Sequence, residues 1–264
     1  MKAQDMSLPS FQCLKLTMED GIAELRFSRP ELLNRFDEQA HEDFITALRH
    51  LATLDHVMRV LVLSAEGRVF SAGGDFEEML KANGCETARA RMTRDARDVL
   101  NAMLDFPVPI ISAVQGAAIG LGATIATLSD LVVAWEGAKI ADTHVNVGLV
   151  AGDGGVFAWS QAIGAARARR YLLTGDVLTG EEAHALGLVT DLAQDVADVL
   201  PTARALAERI RALPPKGVNG TRRTFAALTR ARMAESFELG MSLEMAAMAS
   251  ADLRTMVEGL RGRS

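Results

Sequence analysis

The sequence predicts an α/β fold with a helical C-terminal region, and three observations carry that prediction. Residues 59–64, Arg-Val-Leu-Val-Leu-Ser, form an unbroken apolar run, as expected of a strand covered on both faces in a parallel sheet. Strand-like and helix-like segments alternate between residues 11 and 192, the pattern of βαβ units. Beyond Leu192 the periodicity is almost entirely helical. The expected division is therefore an α/β core over residues 1–192 and a helical region over 193–264. With 264 residues, 49% of them hydrophobic and 23% charged, the chain can bury a large core and is not a disordered composition.

The elements follow in order. Residues 11–18 alternate through Leu14 and Leu16, Glu19-Asp20-Gly21 signals a turn, and Ile22, Leu25 and Phe27 continue as the second strand of a hairpin. Arg29-Pro30 ends that strand. Asp37 is placed to cap a helix running to about Leu54, with Phe44, Leu48 and Leu51 at helical spacing. Residues 67–75 read as a loop, followed by helical patterns to Leu104. Residues 106–129 carry no charge and are long enough to span a bilayer. However, Pro107, Pro109, Gly116, Gly120 and Gly122 break that run into a strand (110–114), a glycine-rich turn and a buried helix (121–128). A further strand covers 131–134. The tail predicts helices over 196–213, 217–228 and 231–249, with Pro214-Pro215 separating the first two.

Several function classes are disfavoured. A net charge of −6 lacks the basic footprint of a nucleic-acid binder. Cys13 and Cys85 cannot form a disulfide scaffold and read as free thiols. Residues 1–12 show no apolar signal core, so the expected location is cytoplasmic and the Asn219-Gly220-Thr221 sequon is a chance match. His41, His50, His56, His144 and His184 show no metal-site spacing. There is no phosphate-loop motif and no G-x-G-x-x-G after a strand, so no metal and no bound cofactor are expected.

Two glycine-rich turns stand out, Ser71-Ala-Gly-Gly-Asp75 and Gly120-Leu-Gly122. Glycine permits close backbone approach, and helix N-termini leave amide N–H groups free. Read alone, they are either ordinary turns or, if they converge, donors for one developing oxyanion.

The blocks around them resemble the crotonase (enoyl-CoA hydratase/isomerase) superfamily. The matching residues are Gly67-Arg-Val-Phe-Ser-Ala-Gly-Gly-Asp-Phe-Glu-Glu-Met79 and Pro109-Ile-Ile-Ser-Ala-Val-Gln-Gly-Ala-Ala-Ile-Gly-Leu-Gly122, with Asp130 closing the second block. Arg29-Pro30 with Asn34 lies upstream; Leu172-Leu-Thr-Gly175, Ala183 and Gly187-Leu-Val189 lie downstream. The resemblance covers residues 11–190 and extends more loosely through the tail. It implies a spiral of ββα units, assembly as a homotrimer or a hexamer built as a dimer of trimers, and an acyl-CoA substrate. Coenzyme A is then part of the substrate, not a cofactor. By position it implies oxyanion donors at the Gly74 and Leu121 N–H groups, with Leu32, Ala72, Asp75 and Phe76 along the CoA and acyl path. The tail would serve oligomerisation and cover the active site.

At the positions of the two glutamates that hydratases of this family use, the chain has Thr124 and His144. Threonine is no base at pH 7, so ordinary hydration is not expected. Isomerase-type members carry Asp where this chain has Gly152; the neighbouring Asp153 is the candidate acid/base. His144 with Asp153 nine residues on resembles the pair of crotonase-fold β-diketone hydrolases, which cleave a C–C bond without CoA. Asp153 alternatively caps a helix, and His144 is alternatively a polar wall residue. Trp159 and Tyr171 read as packing. Glu244, on a helix with Met241, Met245 and Met248, reads as a surface or subunit contact, the alternative being the acid that approaches the site from this region in the hydrolase relatives; Arg222-Arg223 reads as a solvated face, the alternative being a contact to the CoA phosphates. The leading expectation is an enoyl-CoA hydratase/isomerase-type enzyme: enolate chemistry on an acyl-CoA thioester, with Asp153, joined by His144, moving protons at the α or γ carbon or activating water. The alternatives are a β-diketone hydrolase and a non-catalytic acyl-CoA binding subunit.

Overall fold

The structure, a computed structural model, describes residues 8–261. Its strands are β1 (Leu14–Glu19), β2 (Ile22–Phe27), β3 (Val60–Ala65), β4 (Val69–Ser71), β5 (Ile110–Val114), β6 (Ala117–Ile119), β7 (Leu131–Trp135), β8 (Lys139–Ala141), β9 (Leu178–Thr179) and β10 (Asp191–Ala193). Its helices are α1 (Glu38–Ala52), α2 (Phe76–Asn83), α3 (Glu86–Leu104), α4 (Leu121–Leu128), α5 (Gly155–Ile163), α6 (Ala165–Thr174), α7 (Gly180–Leu186), α8 (Val196–Arg211), α9 (Pro215–Met248) and α10 (Ala251–Arg261).

The hairpin forms as expected. β1 and β2 pair antiparallel across Asp20 and Gly21, both at positive φ (47° and 82°), as a tight two-residue turn requires. From β2 onward one sheet runs parallel in the order β1-β2-β3-β5-β7-β10. β3 is covered on both sides, as its apolar run demands. Val60 and Val62, with Ile111 and Val133, pack on Val199, Ala203 and Ala207 of α8. Leu61 and Leu63 face the main core with Phe44, Leu48, Leu100 and Trp159. Each such fully buried side chain contributes about 1.5–3 kcal/mol. Asp37 caps α1 by accepting the Ala40 N–H at 2.9 Å.

Three expectations are corrected. The loop over 67–75 and the turn after Val114 contain β4 and β6, which join β8 and β9 in a second sheet ordered β4-β6-β8-β9. Three-residue strands are too short to show alternation in sequence. The two helices expected over 217–228 and 231–249 are the single α9, because Thr229-Arg230 contains no breaker and Pro215 stands in the first turn, where proline is tolerated. Arg222 is not on a solvated face; only Arg223 is exposed. The Arg222 guanidinium is buried, donating to the carbonyl oxygens of Met103 (2.7 Å) and Phe106 at the end of α3 and to Asp130 (2.9 Å). It fastens α9 to the core. Cys13 is buried, and burial pushes its thiol up to about 12; both cysteines are free. Among the described residues no helix is long and apolar enough to cross a membrane, and residues 106–129 contain β5 and α4 as expected, with β6 between them.

Candidate active site

Backbone geometry brings the two glycine turns together. Gly73 has φ 81°, and a Cβ there would lie 2.6 Å from the Ile119 carbonyl oxygen. Phe36 N–H donates to Gly73 O at 2.8 Å and Asp75 N–H to Phe36 O at 3.2 Å, pinning the first turn. Asp75 caps α2 through the Glu78 N–H (3.0 Å) and pairs with Arg35. Those bonds bypass the Gly74 N–H. In the second turn Gly120, at φ 53°, starts α4, and Leu121 is its first residue. Among the described residues neither the Gly74 nor the Leu121 N–H has a hydrogen-bond partner. Two such donors can stabilise one developing negative oxygen.

The ionisable groups come from the segment after β8 and from α9. A Cβ on Gly120 would fall 3.7 Å from His144 Cε1, so the imidazole lies over the second turn. His144 Nδ1 is 2.7 Å from Asp142 Oδ1, and its Nε2 is 3.5 Å from Asp153 Oδ2. Thr124 Oγ1 is 3.4 Å from Asp153 Oδ1. Asp153 stands two residues before α5, which has no side-chain cap, and it contacts the imidazole. Gly74, Leu121, His144, Asp153 and Glu244 line one cavity of about 60 Å³, walled partly by Met79, Met241 and Met245. A larger groove of about 830 Å³ between α5 and α9 contains none of these groups.

Glu244 is not a surface residue. It is 5% exposed, and its Oε2 accepts the Gly152 N–H at 3.0 Å. Helix α9 gets this close because two glycines meet: a Cβ on Gly240 would be 3.1 Å from Gly152 Cα. One turn later Glu244 enters the site. A Cβ on Gly152 would lie 2.7 Å from Glu244 Oε2, so the carboxyl fills space that a side chain at 152 would need.

Burial opposes charge on His144, but the carboxylates of Asp142 and Asp153, the Asp142 hydrogen bond and Glu244 outweigh it. The imidazole titrates well above its usual range. Burial raises Asp153, with the His144 cation opposing the shift. Burial, opposed by His144 and aided by the neighbouring aspartates, pushes Glu244 up to about 8. At neutral pH the site therefore holds an imidazolium and a protonated Glu244. Asp142, His144 and Asp153 offer donor atoms within 4.8 Å of one another, a grouping that chain spacing does not suggest. The two aspartates face opposite nitrogens of one ring, so the imidazolium itself supplies the cation between them.

The structure thus gathers Gly74, Leu121, Thr124, His144 and Asp153. Asp75 lines the cavity while capping α2, whereas Leu32, Ala72 and Phe76 are half-buried and outside its lining. Trp159 and Tyr171 pack against each other, ring centroids 6.3 Å apart. Sequence reasoning missed Asp142 and misplaced Glu244. The available signals were an aspartate two residues before His144 and an acid on an otherwise Met-lined helix face.

A two-sheet α/β fold with a buried acid–imidazole cluster beside unpartnered amide N–H groups defines an enzyme. The family model for enoyl-CoA hydratase/isomerase matches residues 17–262, and the chain belongs to that family. A trans-2-decenoyl-[acyl-carrier-protein] isomerase of Streptococcus mutans is 32% identical over 181 residues, 68% of each chain. The crystal structure of an enoyl-CoA hydratase/isomerase from Mycobacterium paratuberculosis superimposes with a TM-score of 0.89 at 31% identity, covering 96% of this chain and 100% of that one. A β-diketone hydrolase from the cyanobacterium Anabaena sp. superimposes with a TM-score of 0.85 at 27% identity, covering 94% and 100%.

Proposed function

We propose that the chain is an isomerase-type member that shifts a proton along an acyl thioester. The observation that carries this reading is the single cavity in which the Gly74 and Leu121 N–H groups meet Asp153, His144 and Glu244. The thioester oxygen accepts from the two N–H groups, which form the oxyanion hole. The Asp153 carboxylate removes the α-proton of a 3-enoyl thioester, and the electron pair moves onto that oxygen. Collapse of the dienolate re-forms the carbonyl, and Asp153 returns its proton to the γ carbon. The His144 cation favours the Asp153 carboxylate against the burial that raises it, Asp142 holds the ring, and each oxyanion donor contributes about 3 kcal/mol of transition-state stabilisation. No bound cofactor takes part; coenzyme A belongs to the substrate, and its arm passes Leu32, Ala72 and Phe76. The relative from Streptococcus mutans, named as an isomerase of a carrier-protein thioester, supports the reading.

A second reading has its own observation. The contact between His144 and Asp153 and the likeness to the Anabaena β-diketone hydrolase favour hydrolytic C–C cleavage. There His144 takes a proton from water as the water oxygen attacks a ketone carbon. The C–C bond then breaks, its electron pair leaves as an enolate, and that enolate is protonated. An imidazole held as a cation by two carboxylates is a poor base at pH 7, which ranks this second.

The test is the appearance of conjugated enoyl-thioester absorbance from 3-hexenoyl-CoA. Turnover that falls about 100-fold or more in Asp153→Asn supports the isomerase. Cleavage of a cyclic β-diketone without CoA replaces it with the hydrolase. Tight octanoyl-CoA binding with no turnover of any thioester leaves a binding subunit. The same reading includes assembly into trimers or dimers of trimers, supported by the exposed Phe225, Leu228, Leu239 and Leu243 along α9 and read by light scattering.

A further inference from the structure

One glycine beside the site is not required by its own backbone. Gly155 is the first residue of α5. Its neighbour Gly154 has φ 122°, but Gly155 lies outside the left-handed region. Alanine in place of glycine stabilises a helix by up to about 1 kcal/mol. No backbone approach asks for glycine here either. At Gly152 the crowding comes from Gly240 backbone atoms, whereas around Gly155 the nearest atoms all belong to side chains.

A carboxylate takes the space that a side chain at 155 would need. A Cβ on Gly155 would collide with Asp142 Oδ2 and lie 3.3 Å from both Asp142 Cγ and Ala151 Cβ. Asp142 directly follows β8 and is 2% exposed. Its Oδ1 is 2.7 Å from His144 Nδ1 and 3.3 Å from the His144 backbone nitrogen. Its Oδ2 is buried and has no hydrogen-bond partner among the described residues. One oxygen therefore holds the imidazole while the other rests against the start of α5. Both belong to one rigid group, so pushing Oδ2 aside pulls Oδ1 from the ring.

We propose that Gly155 is a positioning residue: its missing side chain seats the Asp142 carboxylate against His144 Nδ1, and so presents Nε2 to Asp153. Oδ2 of that aspartate is 3.5 Å from Nε2 on the opposite side of the ring. Glycine at the head of α5 thus acts on the site through two side chains and touches no substrate. Only the expected loss of turnover rests on the isomerase reading; the seat itself is read on the free protein.

Gly155→Ala, Asp142→Ala and the double variant test the seat. The readouts are thermal melts, proton NMR titration of His144 (its signal identified by its loss in His144→Gln) and turnover of 3-hexenoyl-CoA. Asp153 and Glu244, the other acids around the ring, stay unchanged throughout. Loss of a charge-assisted hydrogen bond should make His144 of Gly155→Ala release its proton about one pH unit lower. Turnover should fall about tenfold or more, because the ring is misplaced. Asp142→Ala removes the carboxylate that a Cβ at 155 would strike. Adding Gly155→Ala to it should then leave the titration and turnover of Asp142→Ala unchanged and its Tm within about 2 °C. If Gly155→Ala alone does not fold, a folded double variant supports the same seat. A Gly155→Ala protein that titrates and turns over like the parent overturns the proposal. So do effects of equal size with and without Asp142, or a double variant that also fails to fold. A shifted His144 titration with no thioester turnover even in the parent keeps the seat and removes the isomerase reading.

Discussion

Replacing Glu244 by glutamine separates the charge of this side chain from its shape. In the folded chain the carboxyl titrates at about 8, against an ordinary value of 4.5. A carboxyl whose pKa is raised by folding holds its proton more tightly in the folded than in the unfolded state. Its contribution is fully present below about pH 4.5 and is lost as the pH climbs through 8. A rise of 3.5 units corresponds to about 5 kcal/mol, an upper bound because His144 and Asp153 titrate with it. Glutamine keeps an oxygen for the Gly152 N–H, now 3.0 Å away, and never ionises. Its extra N–H group costs about 1 kcal/mol at every pH. In a chain of this length each kcal/mol moves Tm by about 2–3 °C. Glu244→Gln should therefore melt within a few degrees of the parent at pH 5 and several degrees above it at pH 9. Turnover at pH 7 should stay within about threefold, with any alkaline decline near pH 8 removed. Thermal melts across pH 5–9 check the first part and initial rates the second. Parallel melting curves at pH 5 and pH 9 would refute the claim that the fold holds Glu244 protonated. A collapse of turnover at pH 7 would give Glu244 a proton-donating role.

Three further outcomes follow from the same contacts. Gly152→Ala places a Cβ 2.6 Å from Gly240 backbone atoms and 2.7 Å from Glu244 Oε2, so it should cost about 1–3 kcal/mol by calorimetry and lower turnover by displacing α9. Asp142→Asn removes a carboxylate that raises His144, so a proton NMR titration should show the imidazole losing its proton at lower pH than in the parent. Arg222→Met leaves the Met103 and Phe106 carbonyl oxygens and Asp130 without their shared donor, and denaturant unfolding should show a loss of about 3 kcal/mol.

The parts of this fold that were legible in sequence are those whose pattern is local. The run from Val60 to Leu63 announced a strand covered on both faces, and the structure supplies α8 on one side and the main core on the other. Asp37 announced its helix because a cap acts within three residues. The Gly74 and Leu121 positions were legible only through ordered motif blocks, since spacing alone cannot show that two turns touch. What stayed hidden depends on contacts across the chain. Arg222 looked like half of a charged pair on a surface, and nothing near it in sequence reveals the carbonyl oxygens at the end of α3. Asp142 stands two residues before His144 in sequence, but its role is visible only once the short turn at 144–147 aims Nδ1 back at it. β4, β6 and β8 have three residues each, too few for any periodicity.

Glu244 is the sharpest case, and it bears on how such a site is put together. At position 152, where isomerase-type members of the family place an acid, this chain has no side chain. The vacancy admits Gly240, the glycine pair admits α9, and α9 delivers a carboxyl to the Gly152 N–H. The acid comes from 92 residues away in sequence yet lies within hydrogen-bond reach of the same backbone position. The bare loop position and the helix carboxyl that reaches it are then a single structural fact. Restoring the loop acid alone, as in Gly152→Asp, should fail for the same steric reason as alanine. Restoring it together with Glu244→Ala gives back only the space taken by the carboxyl, because Gly240 backbone atoms still lie 2.6 Å from the new Cβ. The position of α9, and not the identity of either acid, decides which carboxyl this site can hold.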